Sequence, residues 1–448
     1  MKIALNHCIL VTIDKNDRVI RDGCLVFDQG EIQSVGPADQ VTLSPDTKII
    51  DGGGRLAVLP GFVDVHSHSS LLKGYSENLN LLDWLPVYQR EHQVLTERDA
   101  YWAAMLSYLE ALKGGTTTVL DMYRYPQRCA EAASTLGLRA HIAPYVADRS
   151  DKTFFETLDS NEAFIKACHD SDHGRIKALV GLEHLFYCTP DAYRRAQDMA
   201  KHYDVQVHTH TSELNSEVEA VEKQFGRRPI ELLDDYGMIG PRTILAHCVW
   251  LSEHEERLLV DGGIAGIALC PTSNAKLAGG VPPYYRYKKS GITMGLGTDG
   301  SISNNSLSMW ELMKFASLTQ KNLLGDAAAL PAPEVLRLAT MGGAKLLKQD
   351  HLIGSLEVGK RADIITVDLW QPHLMPFMDD GDHDPLIWNL VYAARASDVR
   401  DVWVDGRPVI QSGRSVRVDE AQALAEAHAQ TKDLLERRRA TGAVAMVK

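Results

Sequence analysis

The chain has 448 residues, 45% hydrophobic and 24% charged, the profile of a globular protein able to bury a large core. Its 47 Lys and Arg against 59 Asp and Glu leave a formal charge of −12. That balance disfavours nucleic acid and anionic membrane surfaces, because phosphate binding relies on clustered basic side chains.

Seven scattered cysteines without a Cys-x-x-Cys pair, and no long apolar run, point to reduced thiols in the cytoplasm. No export signal, membrane span or disordered segment is expected. Residues 1–57 read as short strands, Ile9–Ile13, Cys24–Phe27 and Glu31–Val35, divided by turn-forming residues. They are too short to make a core alone. Matching strands at the far end, Ala362–Asp368, Asp401–Asp405 and Arg407–Ile410, predict that the chain ends pair into one small β-sandwich, its second part spanning 362–448.

Between them, residues 58–361 alternate strand-like and helix-like segments, the pattern of a parallel sheet. Eight strands are predicted, at 61–68, 116–122, 139–145, 176–182, 205–210, 243–247, 264–269 and 293–298. Eight strands close a (β/α)8 barrel, an α/β fold. Helices such as Glu97–Leu112 and Pro190–Lys201 lie between them, and Ser306–Ser317 and Pro333–Leu347 follow the last strand. The tail Asp419–Arg439 reads as a mixed-charge terminal helix, solvated or facing another subunit.

In such a barrel the chemistry sits at the carboxyl ends of the strands. The first strand closes with Pro60-Gly-Phe-Val-Asp-Val-His-Ser-His68. Alternate residues of a strand point the same way, so His66 and His68 present both imidazoles to one point. An isolated His-x-His more often just closes a strand and hydrogen-bonds to its neighbours. Here, however, His210 with Glu213, then His247, then Asp299 recur at the ends of strands five, six and eight. Three imidazoles and a carboxylate suit zinc or a similar divalent metal. Trp84, in the long excursion after strand one, either stacks on a flat heterocycle or anchors a helix in the core. Asn304 and Asn305 are expected to order the loop after Asp299, and Cys270, with no activating base nearby, reads as packing.

Together with Lys113-Gly-Gly-Thr-Thr-Thr-Val-Leu-Asp-Met-Tyr123, Cys270-Pro-Thr-Ser-Asn-Ala-Lys-Leu277, Gly297-Thr-Asp-Gly-Ser-Ile-Ser-Asn-Asn305 and Gly359-Lys-Arg-Ala-Asp363, the first-strand motif resembles the amidohydrolase superfamily. The resemblance covers nearly the whole chain. Within the superfamily it points to the ATZ/TRZ-type branch of hydrolytic deaminases that act on methylthioadenosine, S-adenosylhomocysteine and related amino-heterocycles. It implies a barrel with a composite β-sandwich and one divalent metal, zinc with iron or manganese as alternatives. His66, His68, His210 and Asp299 match the metal positions, and Glu213, His247 and Asp299 the catalytic ones.

A bound metal lowers the pKa of its water from 15.7 to about 7. On this expectation Asp299 accepts the water's proton, Glu213 protonates a ring nitrogen, and His247 orients the nucleophile or polarises the leaving group. Standing alone, Glu213 fits a helix N-terminal carboxylate equally well. Adenosine-type members carry Pro-His-Ala-Pro-Tyr after strand four, where this chain has Leu182-Glu-His-Leu-Phe-Tyr187. The resemblance puts His184, with Glu183, at the substrate.

Two-metal members bridge their ions with a carboxylated lysine at the end of that strand. Lys177 begins it instead, so a single metal is expected, with Glu183 as the alternative bridging ligand. The expected function is hydrolytic deamination of a purine, pterin, triazine or similar ring, with the heterocycle and water as partners and a homodimer or homotetramer as the assembly. Its rivals on the same scaffold are opening of a cyclic amide and removal of a chloro or alkylamino group from a triazine. The rival from another class is a non-catalytic scaffold.

Overall fold

Through the middle of the chain, buried β segments alternate with helices in the computed structural model, which describes residues 2–441. Met1 and residues 442–448, where the expected order and the end of the terminal segment fall, lie outside the described residues. Every residue of Phe62–His68, Thr116–Tyr123, Arg139–Pro144, Val207–Thr211 and Thr243–His247 is buried, as parallel strands covered on both faces require.

These strands form two five-stranded parallel sheets. One runs Asp299–Gly300, Phe62–His68, Thr116–Tyr123, Arg139–Pro144, Ile176–Ala178, and the other Val180–Gly181, Val207–Thr211, Thr243–His247, Gly266–Leu269, Met294–Leu296. The chain passes from one sheet to the other at Leu179 and at Gly297-Thr298, so the predicted fourth strand is shared between the two, and the eighth lies in one sheet and is followed directly by Asp299–Gly300 in the other. The N–H of Gly297 donates to the Leu269 carbonyl at 2.9 Å. A Cβ on Gly297 would lie 2.7 Å from that of His66, and the bare backbone there lets the eighth segment close in beside the first.

A third sheet, of nine strands, draws on both ends of the chain. Leu56–Pro60 pairs parallel with Ile3–Val11 and antiparallel with Ile364–Asp368, with Ile365 opposite Leu59 and Val367 opposite Ala57. The ends therefore meet as expected, in one continuously hydrogen-bonded sheet with its own core of Leu5, Leu10, Leu25, Ile364 and Trp403.

Arg139 ties this sheet to the parallel strands. Its buried guanidinium donates to Asp363 at 2.9 and 3.1 Å and to Asp405 at 2.7 Å. Arg139→Met would leave the Asp363 carboxylate in the interior with only the Asp405 N–H as partner. We expect a loss of about 3–5 kcal/mol, read from the denaturant midpoint; a midpoint that does not move would show that Arg361 and Arg175 carry the junction unaided.

Two helix expectations need correction. The stretch 333–347 is not one regular helix: Ala332–Arg337 and Gly343–Leu346 flank a wider π turn at Leu338–Gly342. The cause is packing, since a Cβ on Gly343 would sit 2.8 Å from the Val63 carbonyl oxygen. Nor is Glu420–Ala440 a solvated appendage. Ala423, Ala427, Gln430 and Leu434 are buried, Gln430 and Arg437 donate to Asp99, and Glu420 pairs with Lys113. Asp99 is the same residue that closes the capping box with Thr96 at the start of helix Glu97–Lys113. Among the described residues no helix is long and apolar enough to cross a membrane.

Candidate active site

The strand ends bring five of the predicted side chains to one place. His66 and His68 end Phe62–His68, His210 and His247 end or nearly end the next two contributing strands, and Asp299 opens Asp299–Gly300. None is more than 6% exposed. Asp299 Oδ1 lies 3.5 Å from His66 Nε2 and 3.1 Å from His68 Nε2, and the Nε2 atoms of His68 and His210 are 3.1 Å apart.

Hydrogen bonds behind the rings fix which nitrogen faces inward. His68 Nδ1–H donates to the Met122 carbonyl at 2.7 Å, and His210 Nδ1–H to the Glu183 carbonyl at 2.8 Å. A neutral imidazole has one ring proton, so both Nε2 atoms turn lone pairs toward each other. His66 is set by a relay: its Nδ1–H donates to His208 Nε2 at 2.7 Å, and His208 Nδ1–H donates to the Ile244 carbonyl at 3.2 Å. His66 Nε2 is then a third inward lone pair, buried and without a hydrogen-bond partner.

Three lone pairs and a carboxylate oxygen converging in a dry space repel one another unless positive charge sits among them. Ring nitrogens braced from behind, with one carboxylate, are the donor set of a divalent zinc-like ion. The titration of the site carries the same preference. Burial opposes charge throughout, yet the neighbouring His66 and His68 rings hold Asp299 well below the usual carboxylate range, and Asp299 in turn raises His68. His66 is lowered to about 4 and His210 well below its ordinary value by burial and by neighbouring rings. The surroundings of Asp299 thus favour a positive charge beside it.

His247 is set the opposite way. Asn274 Nδ2 donates to its Nδ1 at 3.0 Å, which places the ring proton on Nε2, 3.6 Å from Glu213 Oε2. Burial, then the charges of Asp299 and Glu217, push the Glu213 carboxyl well above its ordinary value, which favours its protonated form. Its Oε1 is buried without a partner. The helix N-terminal role belongs to Glu217, which accepts from the N–H groups of Ser212, Glu213 and Leu214 at 3.1, 2.7 and 3.4 Å. His247 and Asp299 have φ of 70° and 60°, left-handed conformations that cost a non-glycine residue on the order of 1–3 kcal/mol.

Over this centre lies a cavity walled by Leu81, Trp84, Tyr88, Tyr145, His184 and Leu277. Trp84 anchors its helix in the core and also borders the cavity. Its ring is 7% exposed and stacks on Tyr88 at 4.6 Å, its Nε1–H donates to Ser76 at 2.9 Å, and it faces the cavity. His184 stacks on His210 at 4.8 Å. Burial pulls His184 down, but the Glu183 carboxylate 3.0 Å away raises it to about 9.

Lys177 pairs with Asp170 instead of turning inward. Cys270 is buried and its thiol pushed well up by burial, so it offers no nucleophile. Asn304 donates to the Thr298 and Ser306 carbonyls at 2.8 and 2.6 Å, ordering the loop as expected.

Sequence reasoning passed over His208, Asn274, Asp64 and Tyr145. His208 repeats the His-x-His spacing with His210, which was signal enough, and Asn274 stands inside a motif already singled out. Asp64 accepts from the Thr298 N–H at 3.0 Å, next to Asp299, and Tyr145 stacks on His68 at 5.2 Å.

Braced imidazoles and carboxyl groups gathered at the ends of parallel strands are an arrangement suited to a metal-dependent hydrolase. Residues 57–409 match the model of the amidohydrolase family, and the chain belongs to that family. It is 36% identical over 445 residues to a 5-methylthioadenosine/S-adenosylhomocysteine deaminase of Desulforudis audaxviator, covering 97% of this chain and 100% of that protein. It is 34% identical to a 5'-deoxyadenosine deaminase of Methanosarcina acetivorans, covering 97% and 99%. Among solved structures, an adenosine deaminase from Xanthomonas campestris with bound zinc superposes with a TM-score of 0.90 at 28% identity, covering 97% of this chain and 98% of that one. The family and this neighbour imply a TIM-barrel metal hydrolase.

Proposed function

We propose that the chain is a zinc-dependent hydrolytic deaminase of an adenine-type nucleoside carrying a neutral or cationic 5' group. The observation that carries this is the pairing of opposites within one cavity: inward lone pairs on His66, His68 and His210, and inward protons on Glu213 and His247. Relatives described as deaminases of methylthioadenosine, S-adenosylhomocysteine and deoxyadenosine share the adenine ring and differ in what hangs from it. Among the described residues the cavity wall has no Lys or Arg, and its cationic His184 is already paired with Glu183, which favours a substituent without negative charge.

His66, His68 and His210, with Asp299, would hold the ion. When bound, it supplies a water-derived nucleophile at neutral pH. The protein does the rest. Asp299 takes the proton from water, and Glu213 gives its own to the ring nitrogen as the carbon–oxygen bond forms at the adjacent carbon. His247 Nε2–H steadies the adding oxygen. Asp299 then passes its proton to the amino group, the carbon–nitrogen bond breaks as the hydroxyl proton of the adduct returns to Glu213, and ammonia leaves with the oxo product. His184, with Glu183, and Trp84 contact the ring. Lys177, turned out to Asp170, supports a single ion.

The same proposal covers the architecture. The two parallel sheets form one closed eight-stranded barrel over residues 58–361, and the described parts of the two chain ends, 2–57 and 362–441, form a sandwich by curling the third sheet. Its support is Phe27 meeting Trp403 edge-on at 5.9 Å although three strands separate theirs in the sheet order. Seven free cysteines support a cytoplasmic location, and the family resemblance supports a homo-oligomer.

The test is zinc-loaded protein offered 5'-methylthioadenosine, 5'-deoxyadenosine, adenosine, guanine, pterins and triazines. One ammonia per oxo product from an adenine nucleoside is expected. Turnover confined to a triazine, with chloride or an alkylamine released, would overturn the substrate class.

A further inference from the structure

Two of the motifs shared with the family carry residues that the chemistry leaves unused: Lys276 in Cys270–Leu277 and Asn305 in Gly297–Asn305. The fold brings both to Glu77, in the excursion after the first strand. Lys276 Nζ lies 3.0 and 2.9 Å from the two Glu77 oxygens and also donates to Asn305 Oδ1, while Asn305 Nδ2 donates to Glu77 Oε1 at 3.0 Å. Three segments from three strand ends are thereby joined across the mouth of the site. The residue before Glu77 is Ser76, which receives the Trp84 Nε1–H, and Trp84 stacks on Tyr88 over the cavity. The trio is thus one residue away from the wall that covers the centre.

That wall has to move. Trp84, Tyr88, His68, Glu213 and Asp299 are all 7% exposed or less, so a heterocycle cannot reach the centre while residues 71–94 stay in place. The trio itself is wet, with side chains 26% exposed at Lys276 and 36% at Glu77. An ion pair so open to water shifts an equilibrium by no more than about fivefold. Such a contact is strong enough to favour closure and weak enough to open at every turnover. We propose that Glu77, Lys276 and Asn305 form a latch holding residues 71–94 closed over the site, with Lys276 a positioning residue; the proposal rests on the reading of that centre as the deaminase site.

The experiment compares zinc-loaded parent, Lys276→Met, Glu77→Gln and the double variant. Backbone hydrogen exchange is followed across 71–94, and KM and kcat are measured for ammonia release from 5'-methylthioadenosine. Each single variant is expected to speed exchange in 71–94 alone and to raise KM about three- to fivefold with a smaller change in kcat. The double variant should be no worse than either single one. Exchange in 71–94 identical to the parent, or additive effects in the double variant, would overturn the latch. If the parent releases no ammonia from this probe, the deaminase assignment fails by itself while exchange still decides the latch.

Discussion

Replacing Glu213 with Gln is expected to lower kcat by about 10²–10⁴-fold with the metal content unchanged. Gln keeps the shape and lacks the acid proton. Glu213 can serve as that acid because it is buried and feels the negative charges of Asp299 and Glu217, which together favour its neutral form over the opposing pull of His184. The sign of the pH dependence follows. A carboxyl with a raised pKa keeps its proton to higher pH than an ordinary one and loses it as pH rises through the raised value, so turnover by the parent should fall as pH rises. The Gln variant should lack that alkaline limb. Full activity in the variant would remove Glu213 from the reaction.

Asn274→Asp tests a residue two layers from the substrate. An Asp there accepts from His247 Nδ1–H instead of donating to it, and the ring proton moves away from Nε2. The face toward Glu213 then carries a lone pair where a donor is needed. Reversing the tautomer of a catalytic imidazole in an otherwise intact site costs about 10⁴-fold in a serine protease, and a loss in kcat of about that order is expected here. Zinc content and thermal midpoint should stay near those of the parent. Unchanged turnover would show that His247 does not act through an Nε2 proton.

Most of what positions the centre could be read from the chain. The parallel strands announced themselves as apolar runs, and His66, His68, His210, His247 and Asp299 could be placed because each closes such a run. What stayed hidden was mostly second-layer. His208, Asn274 and Asp64 act on the residues that act; only His208 left a trace in the spacing, while Asn274 and Asp64 work through hydrogen bonds between distant segments that no spacing rule reports. The tail helix was misread for a different reason. Its buried stripe is mostly alanine, Ala423 and Ala427 with Leu434, so its charges dominated the pattern while Asp99, over 300 residues earlier, supplied the docking partner. The distinction between Glu213 and Glu217 was likewise invisible in one dimension, because both lie within a turn of the helix start.

The positive φ at His247 and Asp299 has a consequence for anyone engineering this enzyme. Glycine would sit at either position without conformational penalty, so a campaign that rewarded heat tolerance alone would find gains there and discard the very groups that make product. Robustness and turnover are in tension at these two points of the backbone. Selection for hardier variants should therefore hold both positions constant and seek its improvements elsewhere in the molecule.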